Sequence, residues 1–474
     1  MDPPDNNNVF NDNSDICQQL LQRYSKSSAP QHRHLCAIAA ATRSIIQSES
    51  LPVTPFSYFA ATISTISNSQ DSLDPQAVSA LSSFLSIVLP LVPHEAVSSD
   101  KAAEAIGVLV GLLEKQPLES EGVLGTSTVR AFVKCLGILV GFCDKEDWDS
   151  VKVGFETLVK FSTDKRPKVR KCAQDCILTV FKSFGSSSVA KKAGKRIYSL
   201  IKEHITLAIK LSAPKEISGS KDEHQEVLHS LNILKPIIPY LTVKDNEKVL
   251  AQLVELMSSQ SSVFTRHIFD NIGAILDASR VEIILLDADN IIKALISYIL
   301  SAENPADNVL FAATLAKGII EKLHDGGISV WVTYLPLVVE SISGLLTRPE
   351  DIALPASNIL KELINGHIDG KKFLTGKKQA VDDEALSCSE FEAVKAICLV
   401  FENMLLSSSG YPNDHILAIL SVMFLKLGGV LDFCAKGIIL KLADWMIVAS
   451  GGAYDSKNVS PTPTKALFVL QETH

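Results

Sequence analysis

Apolar residues return at helical spacing from about residue 16 to 450, in blocks of about fourteen to twenty residues divided by short Pro, Gly, Ser or Asp stretches. No run of alternating apolar and polar positions interrupts them, so strands are not expected. The blocks number about eighteen, and short connections between so many medium helices force antiparallel neighbours. That is too many for one bundle, so the pattern predicts an all-α chain of stacked antiparallel helical hairpins. An aromatic share of only 6% fits helix-on-helix packing better than aromatic-rich sheets.

An internal match supports the stack. Residues 103–115 (AEAIGVLVGLLEK) align without gaps on residues 133–145 (VKCLGILVGFCDK), placing Gly107 and Gly111 opposite Gly137 and Gly141. Charged or polar residues bracket both copies, so the GxxxG spacing predicts close helix packing rather than a membrane dimer face. The charge-free run 75–93 contains adjacent serines and ends in Pro90 and Pro93, which predicts a buried helix and not a membrane span.

The sharpest local feature is the segment 164–184, DKRPKVRKCAQDCILTVFKSF. Asp164 is placed to accept backbone N–H groups at a helix start, Pro167 suits the first turn, and Val169, Ala173, Cys176, Ile177 and Val180 form a core stripe. The order Asp164, Pro167, Val169, Arg170, Ala173 resembles the second helix of a HEAT repeat, with a partial echo at Val129 and Arg130. A helical pair of this kind cannot bury its apolar face alone, so the expected fold is a HEAT/armadillo-like α-solenoid.

Punctuation along the chain divides it as follows. Residues 1–15, rich in Asn and Asp and without an apolar h-region, read as a disordered leader. Residues 16–212 read as N-terminal helical repeats, including a basic HEAT-like repeat over 147–212. A polar loop over 213–224 precedes further repeats over 225–367, and a longer mobile loop is expected over 368–384. More repeats follow over 385–450, with a disordered tail over 451–474. The last helix carries Ile438, Ile439, Leu442, Trp445 and Ile447 without a clear polar cap, which predicts a truncated array.

Charge sharpens the picture. The whole chain is acidic, with net charge −8, pI about 5.8 and mean hydropathy +0.20, which excludes a globally basic nucleic-acid coat. Residues 160–210 nevertheless hold thirteen basic and three acidic side chains, a local net of +10 against −18 elsewhere. Such segregation is an electrostatic footprint for phosphates, although a charge run is most often a solvated face. The candidate contacts for RNA or an acidic partner are Lys165, Arg166, Lys168, Arg170, Lys171, Lys191, Lys192, Lys195, Arg196 and Lys202. A continuous helix over 167–184, about 27 Å long, sets the two clusters at opposite edges, as a belt rather than a pocket. Phe181 and Phe184 are expected in the core, so base stacking and sequence-specific readout are not supported.

Little else points to chemistry. The approach to a phosphate loop at 370–378 (GKKFLTGKK) has the wrong spacing and puts Lys378 where a hydroxyl belongs. His32, His34 and Cys36 do not converge on a helix and have no fourth ligand nearby. Cys172 and Cys176 share a helix face and read as core cysteines rather than a redox pair. Nine cysteines in apolar surroundings fit a reducing compartment. No catalytic constellation, cofactor, metal, small-molecule substrate or membrane partner is expected.

The run TDKRPKVRKCAQDCILTVFKSF, followed by AKKAGKRIYSLIKEH, resembles the ribosomal RNA-processing protein 12-like family. The likeness continues more loosely through LFAATLAKGIIEKL and LPASNILKELI. It covers the N-terminal portion of that family, whose members are longer and carry further repeats and a basic C-terminal region. It implies a non-enzymatic HEAT-repeat scaffold of the nucleus and nucleolus, able to shuttle to the cytoplasm. Such a scaffold joins pre-ribosomal RNA and ribosomal or assembly proteins, engages nuclear transport factors, and assists rRNA processing and subunit export. The rival expectations are a karyopherin-like nuclear transport adaptor and a phosphatase-type protein scaffold, neither of which needs RNA.

Overall fold

The structure is a computed structural model that describes residues 15–68, 74–114, 124–211, 221–258, 263–278, 281–368, 381–407, 413–427 and 432–451. Residues 1–14 of the expected leader, 213–220 and 369–380 of the expected loops, and 452–474 of the expected tail lie outside the described residues. Among the described residues there are nineteen α-helices and no strand. The chain forms two compact units, residues 1–245 and 246–474.

The first unit holds α1 (Ile16–Tyr24), α2 (Pro30–Ser48), α3 (Pro55–Asn68), α4 (Pro75–Val88), α5 (Ser99–Glu114), α6 (Thr126–Phe142), α7 (Trp148–Phe161), α8 (Pro167–Phe184), α9 (Ser188–Leu211) and α10 (Lys221–Ile237). Consecutive helices pair into hairpins, and the hairpins stack: α2, α4, α6, α8 and α10 pack in succession along one layer, while α3, α5, α7 and α9 do so along the other. The second unit repeats the scheme. Here α12 (Thr265–Ala278), α14 (Ala306–Asp325), α16 (Glu350–His367) and α18 (Asp414–Leu427) line one layer. Opposite them run α13 (Val281–Leu300), α15 (Trp331–Ser343), α17 (Val381–Ser407) and α19 (Asp432–Gly451). The remaining helix, α11 (Val243–Ser258), spans the division between the units. This is the stacked-hairpin solenoid the apolar periodicity predicts.

Local chemistry explains the helix boundaries. Pro75 opens α4 behind Asp74, whose carboxylate accepts the Gln76 N–H at 3.2 Å, and Phe84, Leu85 and Val88 are fully buried. Pro167 opens α8, and Gly185, at φ +55°, ends it in a conformation that an L side chain resists. The predicted stripe of α8 is buried at Val169, Ala173, Ile177 and Val180. Cys176 departs from it and is only half-buried, because it faces the neighbouring α6 rather than the core between the layers.

The nine-residue α1 begins where the apolar pattern does, at Ile16. It is held by Asp15, which accepts the Cys17 N–H at 3.0 Å and the Tyr58 hydroxyl at 2.5 Å, with Arg43 paired at 2.6 Å. Lys221 opens α10 inside the segment 213–224, and Val381 opens α17 inside 368–384, so both expected loops are shorter at their C-terminal ends. The division between compact units falls at Asp245 and Asn246, and the helices flanking 213–224, α9 and α10, pack on each other as one hairpin.

Two histidines are folded in as neutral groups. Burial pushes the His229 imidazole down to about 4, with the Arg170 charge adding to the effect. Burial does the same for His367, also to about 4, beside His324 and Trp331. With an unfolded value near 6.5, each histidine binds more protons unfolded than folded between about pH 4 and 6.5. Their contribution is therefore full above pH 6.5 and is lost as the pH falls toward 4, on the order of 1 kcal/mol each after allowing for partial exposure. Thermal melts at pH 7 and pH 5 check this: the His229→Gln variant should show a flatter pH dependence than the parent, and an unchanged slope would refute it.

Candidate nucleic-acid interface

The α7–α8 turn folds around one buried acid. Asp164 is 3% exposed, and its carboxylate accepts the Arg166 backbone N–H at 2.8 Å and the Arg166 guanidinium at 2.9 and 2.8 Å. Arg170 donates from the same guanidinium nitrogen to the carbonyls of Asp164 at 2.8 Å and Lys165 at 3.4 Å. Gln174 closes the turn on the Ser162 carbonyl at 3.0 Å. Arg166 and Arg170 are thus half-buried, with part of each guanidinium engaged in the turn itself. The exposed cations here are Lys165, Lys168 and Lys171.

The second cluster lies at the opposite edge of the stack and in the other layer. The α9 start is tied to the α7 start: the Val189 N–H donates to the Lys145 carbonyl at 3.2 Å and the Ser188 N–H to the Glu146 carboxylate at 3.3 Å. Lys191, Lys192 and Lys195 are exposed, and Arg196 is half-buried, 3.9 Å from Glu156. Acids surround these cations. Asp144, Glu146 and Asp149 are exposed beside them. Asp147 is held below the usual carboxylate range, chiefly by the Ser150 hydroxyl and also by the Lys192 charge. Lys202, exposed three turns further along α9, belongs to neither end cluster. Phe181 and Phe184 are buried, as predicted.

The structure adds two cations that charge counting along 160–210 misses. The α6 and α8 helices run side by side, so Arg130 and Lys134, both exposed, flank α8. The Cys172 thiol lies 3.8 Å from the Arg130 carbonyl and the Cys176 thiol 3.8 Å from that of Val133. Gly137 permits this approach: a Cβ there would overlap the Cys176 sulfur and stand 2.7 Å from the Cys176 Cβ. Arg130 and Lys134, one turn apart, are both exposed on α6 beside that seam. The forty-residue offset between the pairs Val129–Arg130 and Val169–Arg170 is the sequence signal that could have located them.

The stacked hairpins match a known repeat family. The family described as "RRP12-like, N-terminal HEAT repeats" matches residues 2–283, more than half of the sequence. The chain belongs to the RRP12-like family. A Homo sapiens RRP12-like protein is 26% identical over 377 residues, covering 76% of this chain and 27% of that protein. A Gallus gallus RRP12-like protein is 26% identical over 233 residues, covering 48% of this chain and 17% of that protein. The chain therefore aligns with roughly a quarter or less of these RRP12-like relatives. The solved structure of Kap121p bound to Ste12p aligns over 97% of this chain and 41% of that one, at TM-score 0.47 and 12% identity. The α6–α8 ridge lies within the RRP12-like match.

No group of three or more metal-ligating side chains converges among the described residues. His32 is absorbed locally, stacked on Tyr24 at 4.0 Å and bonded to the Ser27 hydroxyl at 2.6 Å. Among the described residues no helix is long and apolar enough to cross a membrane.

Proposed function

We propose that this chain is a non-enzymatic helical-repeat scaffold in ribosome biogenesis, and that its α6–α8 ridge contacts the phosphates of pre-ribosomal RNA. The observation that carries the reading is the exposure of Arg130 and Lys134 on α6 and of Lys168 and Lys171 on α8, two helices packed side by side, with Asp175 an exposed acid on α8. Paired basic helices make a track for a phosphate backbone, and such contacts yield affinity without base readout. Lys165 extends the track, and Lys191, Lys192 and Lys195 form a secondary surface whose charge is offset by its acids. Action in the nucleus and nucleolus, and assistance to rRNA processing and export, belong to the same reading.

RNA binding by the purified chain across a salt series tests it. The variant Arg130→Gln, Lys134→Gln, Lys168→Gln, Lys171→Gln should bind more weakly, with a salt slope shallower by about one for each lost phosphate contact. The variant Lys191→Gln, Lys192→Gln, Lys195→Gln should change the slope less. Absence of binding by the parent at low salt would overturn the RNA reading.

A further inference from the structure

We propose that a pocket between α2 and α4 takes one unstacked base of a single-stranded RNA whose phosphates continue onto the α6–α8 ridge, an inference that rests on the RNA reading above. The pocket has a volume of about 300 Å³ and is lined from α2 by Gln31 and His34 and from α4 by Gln76, Ser79, Ala80 and Ser83. That volume stands at the lower end for small-ligand sites, so it suits a single planar ring system.

The lining chemistry is that of a base edge and not of a phosphate. Among the described residues its polar groups are amides, hydroxyls and an imidazole, with no carboxylate, ammonium or guanidinium. The side chains of Gln31, His34, Gln76 and Ser79 make no hydrogen bond to the protein among the described residues, so their donors and acceptors are open to a ligand. Ser83 donates its hydroxyl proton to the Ser79 carbonyl at 2.9 Å and keeps its oxygen as an acceptor. Each glutamine amide presents a donor beside an acceptor, the arrangement that pairs with a base edge, and can turn over to suit either polarity. The pocket therefore takes a base as a class without fixing which one.

Position in the stack joins this pocket to the ridge. The pocket brings the first turns of α2 and α4 together, so these two helices run the same way. His94, just beyond α4, donates from Nε2 to the carbonyl of Gly141 at the end of α6 at 3.0 Å, which sets α4 and α6 in the same direction. Contacts from Cys172 to Arg130 and from Cys176 to Val133 rise together along α8 and α6, so these helices also agree. The first halves of all four helices thus share one edge of the first unit, with the pocket on α2 and α4 and the exposed Arg130, Lys134, Lys168 and Lys171 on α6 and α8. Packed helices lie about 8–10 Å apart, which puts the pocket roughly 12–15 Å from α6. A strand of a few nucleotides spans that distance. Arg33, exposed on the first turn of α2, is a cation for the phosphate next to the captured base, and Asp74, exposed at the start of α4, is an acid on the same edge. A neutral pocket in line with a row of cations matches a polymer whose charges alternate with uncharged rings, and single strands are the form that can splay a base out.

The test compares oligouridylate, an abasic ribose-phosphate oligomer of the same length, and polyglutamate as ligands of the full chain, with 4-thiouridine photo-crosslinks mapped by mass spectrometry. Oligouridylate should bind several-fold more tightly than the abasic oligomer and crosslink within residues 30–34 or 76–83. Ser79→Leu, which fills the pocket, and separately Gln31→Ala with Gln76→Ala, which strips its amides, should each remove that preference while the salt slope and the circular dichroism spectrum stay those of the parent. The ridge variant Arg130→Gln, Lys134→Gln, Lys168→Gln, Lys171→Gln should flatten the slope and keep the preference. Equal affinity for the abasic oligomer, crosslinks only elsewhere, or a preference that survives both pocket variants would overturn the pocket and leave the ridge standing. A pocket crosslink and preference with an unchanged slope in the ridge variant would overturn the ridge alone. Absence of RNA binding by the parent would overturn both, and polyglutamate binding as tightly as oligouridylate would assign this edge to an acidic peptide instead.

Discussion

Asp164→Ala is expected to lower the unfolding free energy of the first unit by about 3–5 kcal/mol, the usual consequence of removing one partner from a buried ion pair. The Asp164 carboxylate is completely enclosed and Arg166 is 24% exposed. Truncation strands that guanidinium and unpairs the Arg166 backbone N–H together. Because Arg170 holds the Asp164 carbonyl rather than its side chain, the Arg170 strut survives the change. Asp164→Asn should lose less, since an amide oxygen still accepts one N–H. Urea denaturation of the three proteins measures the ranking. Equal stability of parent and Asp164→Ala would show that the turn does not depend on its buried acid.

Gly137→Val should cost about 3 kcal/mol, at the upper end of what overpacking a filled interface does. A Cβ at Gly137 overlaps the Cys176 sulfur and meets its Cβ at 2.7 Å, and the closely packed pair α6–α8 can yield only by moving a helix. Gly107, aligned with Gly137 in the internal match, has no neighbouring atom within 4 Å of the point where a Cβ would stand. Gly107→Ala should therefore stabilise by about 0.5–1 kcal/mol through helix propensity alone. Opposite signs at aligned glycines in thermal melts are the expected result, and a loss at both positions would contradict it.

That contrast shows what the sequence carried and what it did not. Helix type and layer order were legible because apolar stripes repeat every turn: the residues that made α8 recognisable, Pro167, Val169, Ala173, Ile177 and Val180, occupy the predicted places. The GxxxG pair predicted close packing in both copies, yet at Gly137 a neighbouring side chain fills the space and at Gly107 and Gly141 none does. Periodicity reports which face is buried, not how near the next helix comes. The basic segment was equally visible, but its division into struts and exposed cations was not. Asp164 lies beside Arg166 in sequence, so a count of charges registers partial cancellation without showing that Arg166 and Arg170 bond the turn itself. Arg130 and Lys134 join the ridge, and Glu146 meets Ser188, across about forty residues of chain, a range over which composition windows are blind.

Glu146 at the start of α9 has a consequence for anything anionic that approaches that end of the stack. A helix N-terminus followed by Lys191, Lys192 and Lys195 would ordinarily be a ready anion seat. Here the seat comes with its own occupant: a carboxylate tethered by the α6–α7 connection, which is present at high effective concentration and never diffuses away. A phosphate must compete with that resident anion. The richer lysine cluster is in this sense self-inhibited.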